Sequence, residues 1–285
     1  MPQARAHRLF FAACLAAHLP LAAQQTDNAG RPWNVGLSQD VTHFTNALNS
    51  SGGSEVGDTV WTTTLSGGVN VPFGRQRAYA NGGLSHTRYS DLNGLDGQGY
   101  NLAAGLDWAT VGNLSGNLTA NAGRRQADFN TGVSTVSLKN NESYEELRGR
   151  ALLGGVGLLG IEGTLGWRRV NFSAPEFDSR EYEQSSASAG VIYRPSSALT
   201  LGTGLSAQYS DYDVPSFGQA EPDTSSRREV YVTAEWVATG ASTVGTRLNF
   251  GKTDYERPNA EDFSGVTGSL YWQWRPTGRT AVTTT

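Results

Sequence analysis

The chain has 285 residues, 22 Lys and Arg against 26 Asp and Glu, a net charge of −4 and only 17% charged residues. A weakly acidic, sparsely charged chain lacks the basic patches that nucleic-acid binding requires. Its one cysteine, Cys14, excludes a disulfide framework.

Arg5 and Arg8 precede an apolar run from Leu9 to Leu21, and Ala22-Ala23 follows before Gln24. This layout predicts a secretory signal peptide over residues 1–23, too short to span a membrane as a helix. Its removal would take Cys14 with it. No later stretch approaches eighteen apolar residues, so a membrane crossing by residues 24–285 would require a closed β-barrel.

Alternation of apolar and polar residues predicts strands, because successive side chains point to opposite faces. Trp33, Val35 and Leu37 open the first, ending near His43, before a polar stretch from Asn46 to Asp58. The second sets Trp61, Leu65, Val69 and Val71 against Thr62, Thr64, Ser66 and Asn70, and turns at Pro72-Phe-Gly74. The third runs from Gln76 to Tyr89 with Ala78, Ala80, Gly82 and Leu84 on its apolar face, although Tyr79 blurs the pattern. The fourth and fifth form the most regular hairpin. Tyr100, Leu102, Ala104, Leu106 and Trp108 lead through Ala109–Asn113 to Leu114, Gly116, Leu118, Ala120 and Ala122. The sixth has Leu147, Gly149, Ala151 and Leu153 against Glu146, Arg148 and Arg150, and the seventh has Ile161, Gly163, Leu165 and Trp167 against Glu162 and Arg168. The eighth carries Ala187, Ala189, Val191 and Tyr193, and the ninth Leu199, Leu201, Leu205, Ala207 and Tyr209. The tenth carries Val230, Val232, Ala234 and Trp236; the eleventh Val244, Leu248 and Phe250; the twelfth Val266, Leu270, Trp272 and Trp274. Residues 279–285 begin a thirteenth.

Short turns alternate with longer polar loops along this series, the asymmetry of outer-membrane barrels. Trp108, Tyr193, Trp236, Trp272 and Trp274 lie beside short turns, and Tyr89, Tyr100, Tyr182, Tyr209 and Tyr255 beside long loops, like two aromatic girdles. A soluble sandwich could use the same alternation but has no reason to sort aromatics this way. The expected fold is therefore all-β: an antiparallel up-and-down transmembrane β-barrel of about 12 strands plus the start of a thirteenth, incomplete because bacterial single-chain barrels have even strand numbers. The chain also lacks a C-terminal aromatic residue and reads as truncated at its C-terminus.

The charges on the polar faces are the candidate lumen lining: Arg125, Glu146, Arg148, Arg150, Glu162, Arg168, Glu235 and Arg247. They would either steer a polar or acidic solute, or simply fill a small barrel with ion pairs. Glu162 is the acid expected to answer Arg150, leaving Arg148, which shares its face with Glu146, freer to meet an anionic sugar. Tyr212, Phe217 and Tyr255, with Asp211, Asp213, Glu221 and Asp223, could stack on sugars or be ordinary loop residues. No catalytic site, cofactor or metal is expected. Gly155-Val-Gly157-Leu-Leu-Gly160 fits a dinucleotide string but leads into a strand. His43 and His86 lack metal-ligand spacing. The neighbours Ser85-His86 and Glu145-Glu146 point to opposite faces.

Arg75-Gln-Arg-Ala-Tyr-Ala80, His86-Thr-Arg-Tyr89, Gly99-Tyr-Asn-Leu102, Gly105-Leu-Asp-Trp108 and Trp272-Gln-Trp-Arg-Pro-Thr-Gly-Arg-Thr280 resemble segments of the EpsL-type outer-membrane β-barrel proteins of exopolysaccharide biosynthesis, found beside exosortase systems. The resemblance runs from about Trp33 onward and is clearest from Arg75 to Arg125. It implies a non-enzymatic protein of the Gram-negative outer membrane. Such a protein contacts outer-membrane lipid and serves the assembly or export of an extracellular polysaccharide with its export machinery. The alternative function is a general or selective porin.

Overall fold

A computed structural model describes residues 31–50, 53, 55–127, 139–212, 224–256, 261–277 and 280–285. The leader predicted over residues 1–23 lies outside them, as do Asp213, Phe217, Glu221 and Asp223.

Thirteen strands form one antiparallel sheet in strict sequence order. They are β1 (Trp33–Phe44), β2 (Asp58–Phe73), β3 (Gln76–Tyr89), β4 (Gly97–Ala109), β5 (Leu114–Gln126), β6 (Asn141–Leu153), β7 (Leu159–Phe172), β8 (Tyr182–Ser196), β9 (Leu199–Asp211), β10 (Ser225–Thr239), β11 (Ser242–Tyr255), β12 (Phe263–Thr277) and β13 (Thr280–Thr284). Each pairs with its chain neighbours, and β1 and β13 are the two edges, so the sheet is open. Among the described residues no helix is long and apolar enough to cross a membrane. Two short 3₁₀ helices, Asn93–Leu95 and Pro175–Arg180, sit in loops expected to be irregular.

Connections alternate in length. The first short turn is Gly74-Arg75, where Gly74 takes φ +64°, a left-handed conformation that costs glycine little. The others span residues 110–113, 154–158, 197–198 and 240–241. At the opposite end the strands are joined by the longer connections 45–57, 90–96, 127–140, 173–181, 212–224 and 256–262, of which residues 51–52, 54, 128–138, 213–223 and 257–260 lie outside the described residues.

Pairing keeps like with like. Leu65 sits opposite Leu37 and Leu84, Leu84 opposite Tyr100, and Leu106 opposite Leu118. One face is thus apolar along the middle of the strands, with cations such as Arg88, Arg228 and Lys252 toward the long loops, and none of the described residues covers it: Leu37 is 72% exposed and Leu165 69%. Only eight hydrophobic side chains are buried among the described residues. Val60, Tyr89 and Leu95 form a small cluster at the long-loop end, with Leu48 and Leu92 against it.

The aromatic rows need correction. Trp108, Tyr193, Trp236, Trp272 and Trp274 do lie on the apolar face near short turns, with Trp33 and Phe73 beside them. At the long-loop end only Tyr100 and Tyr209 of the five expected tyrosines share that face. Tyr89, Tyr182 and Tyr255 fall on the polar one: each is an odd number of residues from an apolar-face position, and strand alternation reverses it. Tyr89 is buried in the loop cluster instead. Trp61, Trp167 and Phe250 also lie on the apolar face, toward the long-loop end.

Candidate functional site

The polar face is held by cross-strand pairs. Four times an inward tyrosine lies directly opposite a glycine: Tyr79 and Gly105, Tyr144 and Gly123, Tyr231 and Gly204, Tyr271 and Gly245. The ring covers the gap the glycine leaves, which secures register and excludes a larger residue there. This pattern explains Tyr79, the residue that blurred β3. Tyr231 reaches furthest, across both Gly204 and Gly190, and a Cβ on either glycine would collide with its hydroxyl.

All eight candidate residues lie on this polar face. The structure gathers five of them on β6 and β7. Glu146 takes Arg148 at 3.3 Å and Arg168 at 3.9 Å. Arg150 pairs with Glu162, although the register sets Arg150 opposite Thr164 and Glu162 opposite Leu152, so the two reach each other diagonally. The expectation that Arg148 is the freer of the two arginines is therefore corrected: Glu146, two residues away on the same strand face, answers it.

The other three stand apart. Arg125 pairs with Glu142 at 2.9 Å near the long loops. Glu235 accepts a hydrogen bond from the Tyr271 hydroxyl. Arg247 lies over the Tyr231 ring at 4.0 Å and donates to Asn249 Oδ1 at 2.8 Å. No carboxylate of the described residues lies within ion-pair reach of Arg247.

A recess of about 660 Å³ opens on this face, lined by Arg148, Glu162 and Arg247 together with Arg227, Glu229 and Tyr231. Hydroxyls of Thr164, Ser188, Thr200 and Thr233 share its wall. Arg227 and Glu229 form an ion pair that the sequence reading missed. Its signal was present: both continue the odd-numbered polar series of Tyr231, Thr233 and Glu235, but β10 begins five residues earlier than the apolar run at Val230 suggests. The recess has fixed dipoles, paired charges and one guanidinium, Arg247, with no carboxylate of the described residues in reach, an arrangement suited to holding a hydrated polar or anionic solute. Among the described residues, no three His, Cys, Asp or Glu side chains group to hold a metal ion.

A separate polar centre fixes the loops. Asp58, 2% exposed, accepts from the backbone N–H of Thr59 at 2.6 Å, Ser90 at 3.1 Å, Asp91 at 3.2 Å and Leu92 at 2.9 Å. Burial alone would raise its pKa, but these donors favour the carboxylate and hold it below the ordinary 3.8.

No family model matches the chain. No curated protein matches it. Among solved structures it is similar to a loop L8 deletion mutant of OmpT, an outer membrane protein of Vibrio cholerae. That likeness has 11% identity and a TM-score of 0.40, over 85% of this chain and 100% of the other.

Proposed function

We propose that the chain is a non-enzymatic outer-membrane β-barrel protein that takes part in assembling or exporting an extracellular polysaccharide. The observation that carries the membrane half is the uncovered apolar face. A soluble protein rarely exposes a continuous patch of more than a few hundred Å² of such surface, and here it runs across all the long strands. On β2 the outward aromatics Trp61 and Phe73 are twelve residues apart, about 40 Å along a strand. Tilted as barrel strands are, that is about 30 Å of depth, the thickness of a bilayer core.

The polysaccharide half rests on the resemblance of the Arg75–Arg125 region to EpsL-type proteins. The polar recess, with Arg247 unanswered by an acid, is compatible with it. The eight charged residues would then line the lumen. A porin for small polar solutes is the second reading, favoured by the hydroxyl-lined recess.

Fractionation and deletion in the native host test the proposal together. The protein is expected in the outer-membrane fraction, and its loss is expected to lower secreted polysaccharide. Recovery in the soluble fraction would overturn the membrane reading. Unchanged polysaccharide, with large unselective channels in planar bilayers, would replace export by the porin reading.

A further inference from the structure

The apolar face is not smooth. Between β8 and β12 a groove of about 890 Å³ runs over Ala187, Leu205, Ala207, Val230, Phe250 and Val266. Between β5 and β10 a second, of about 700 Å³, runs over Leu118, Leu147, Leu165, Trp167 and Tyr209. The grooves share Ala187 and Ala207, whose short side chains make the floor between bulky neighbours. They also share one cation, Arg228, at their long-loop end.

Arg228 is exposed, and no carboxylate of the described residues lies within ion-pair reach of it. Its cross-strand neighbours are Ala207 on one side and Lys252 on the other. Like charges directly opposite one another destabilise a sheet. Lys252 is itself answered by Asp254 and by Asp262 at 3.1 Å; among the described residues Arg228 has no such acid. A guanidinium thus stands where two apolar grooves meet, at the rim where a bilayer's headgroups would lie.

We propose that these grooves and Arg228 seat a phosphorylated, multiply acylated lipid of the outer leaflet, with a phosphate on Arg228 and acyl chains on either side of it. The inference rests on the membrane reading above. Two grooves diverging from one cation fit a headgroup that carries several chains. A guanidinium binds phosphate in a forked, charge-assisted geometry. Free phosphate would leave both grooves empty, and an uncharged lipid would leave Arg228 unanswered.

The test uses the full-length protein in phosphatidylcholine nanodiscs, with lipid A, fully dephosphorylated lipid A or inorganic phosphate added. Lipid retained per chain is read by native mass spectrometry, and the thermal midpoint is recorded. The wild type is expected to retain lipid A over the dephosphorylated form by about tenfold, and inorganic phosphate is expected to leave the midpoint unchanged. R228Q is expected to bring the two lipids to parity. R228K is expected to keep part of the preference, and R88Q, on the same rim but outside both grooves, all of it. Parity in the wild type, a preference that survives R228Q, an equal loss in R88Q or a midpoint raised by phosphate alone would overturn the proposal. Outer-membrane fractionation of the same proteins separates the two failures. A soluble wild type sinks both readings, whereas a membrane-inserted wild type with no lipid preference sinks this one alone.

Discussion

A single carboxylate, Asp58, ties two loops together through four backbone N–H groups that would otherwise need water. Because its pKa is depressed in the folded chain, its contribution is fully present above the unfolded value and is lost as pH falls through the folded one. Amide exchange at Asp91 and Leu92, corrected for intrinsic rates, is therefore expected to stay slow from about pH 7 to about pH 5 and to speed up only below the ordinary carboxylate range. D58N, which keeps the shape but loses the charge, is expected to exchange faster throughout. Equal protection in D58N at neutral pH would show that the charge is immaterial. This anchor was not legible in the sequence, where Asp58 is one acid at the edge of a polar loop; apart from the adjacent Thr59, its partners lie 32 to 34 residues away. The misplaced tyrosines are a different case. Nearness to the loops suggests that Tyr89, Tyr182 and Tyr255 belong to a girdle, whereas parity within the strand, equally readable in the sequence, sets their face.

The β6–β7 hairpin shows what an element's pattern can carry. Alternation and the glycine turn at 154–158 fix its register closely enough to bring Arg150 and Glu162 together. The network around Glu146 was harder to see, because it joins residues two apart on β6 to Arg168 on β7 and depends on where long side chains bend. Such exposed pairs contribute only about 0–1 kcal/mol each, so their value lies in orienting side chains across the polar face. Single cysteines at 148, 149 and 150, treated in intact cells with a membrane-impermeant thiol reagent, test the register. Arg148→Cys and Arg150→Cys are expected to label and Gly149→Cys to resist. Labelling at 149 with silence at 148 and 150 would mean that β6 is turned over.

At the scale of the whole molecule, the sharpest regularity is the sorting of indoles. The chain has 7 tryptophans: Trp33, Trp61, Trp108, Trp167, Trp236, Trp272 and Trp274. Every one lies on the apolar face, while Tyr79, Tyr144, Tyr231 and Tyr271 serve the polar one. An indole has a large apolar body and one N–H donor, which suits the boundary between hydrocarbon and headgroup. Trp272 meets that demand within the fold by donating to Ser242 Oγ at 2.8 Å while stacking on Trp274 at 5.9 Å. In a soluble sheet with both faces wet, nothing would restrict tryptophan to one side. If the face meets lipid, the fluorescence of all seven should respond to the bilayer and not to the lumen. In reconstituted vesicles, lipids brominated near the headgroup end of their chains are expected to quench strongly. Lipids brominated near the chain ends should quench less, because Trp33, Trp61, Trp108, Trp236 and Trp274 lie within three residues of a strand end, and only Trp167 and Trp272 lie nearer mid-strand. Aqueous iodide is expected to quench weakly. Strong iodide quenching with no effect of brominated lipid would place the tryptophans in water and remove the membrane assignment, along with the lipid seat at Arg228 that depends on it.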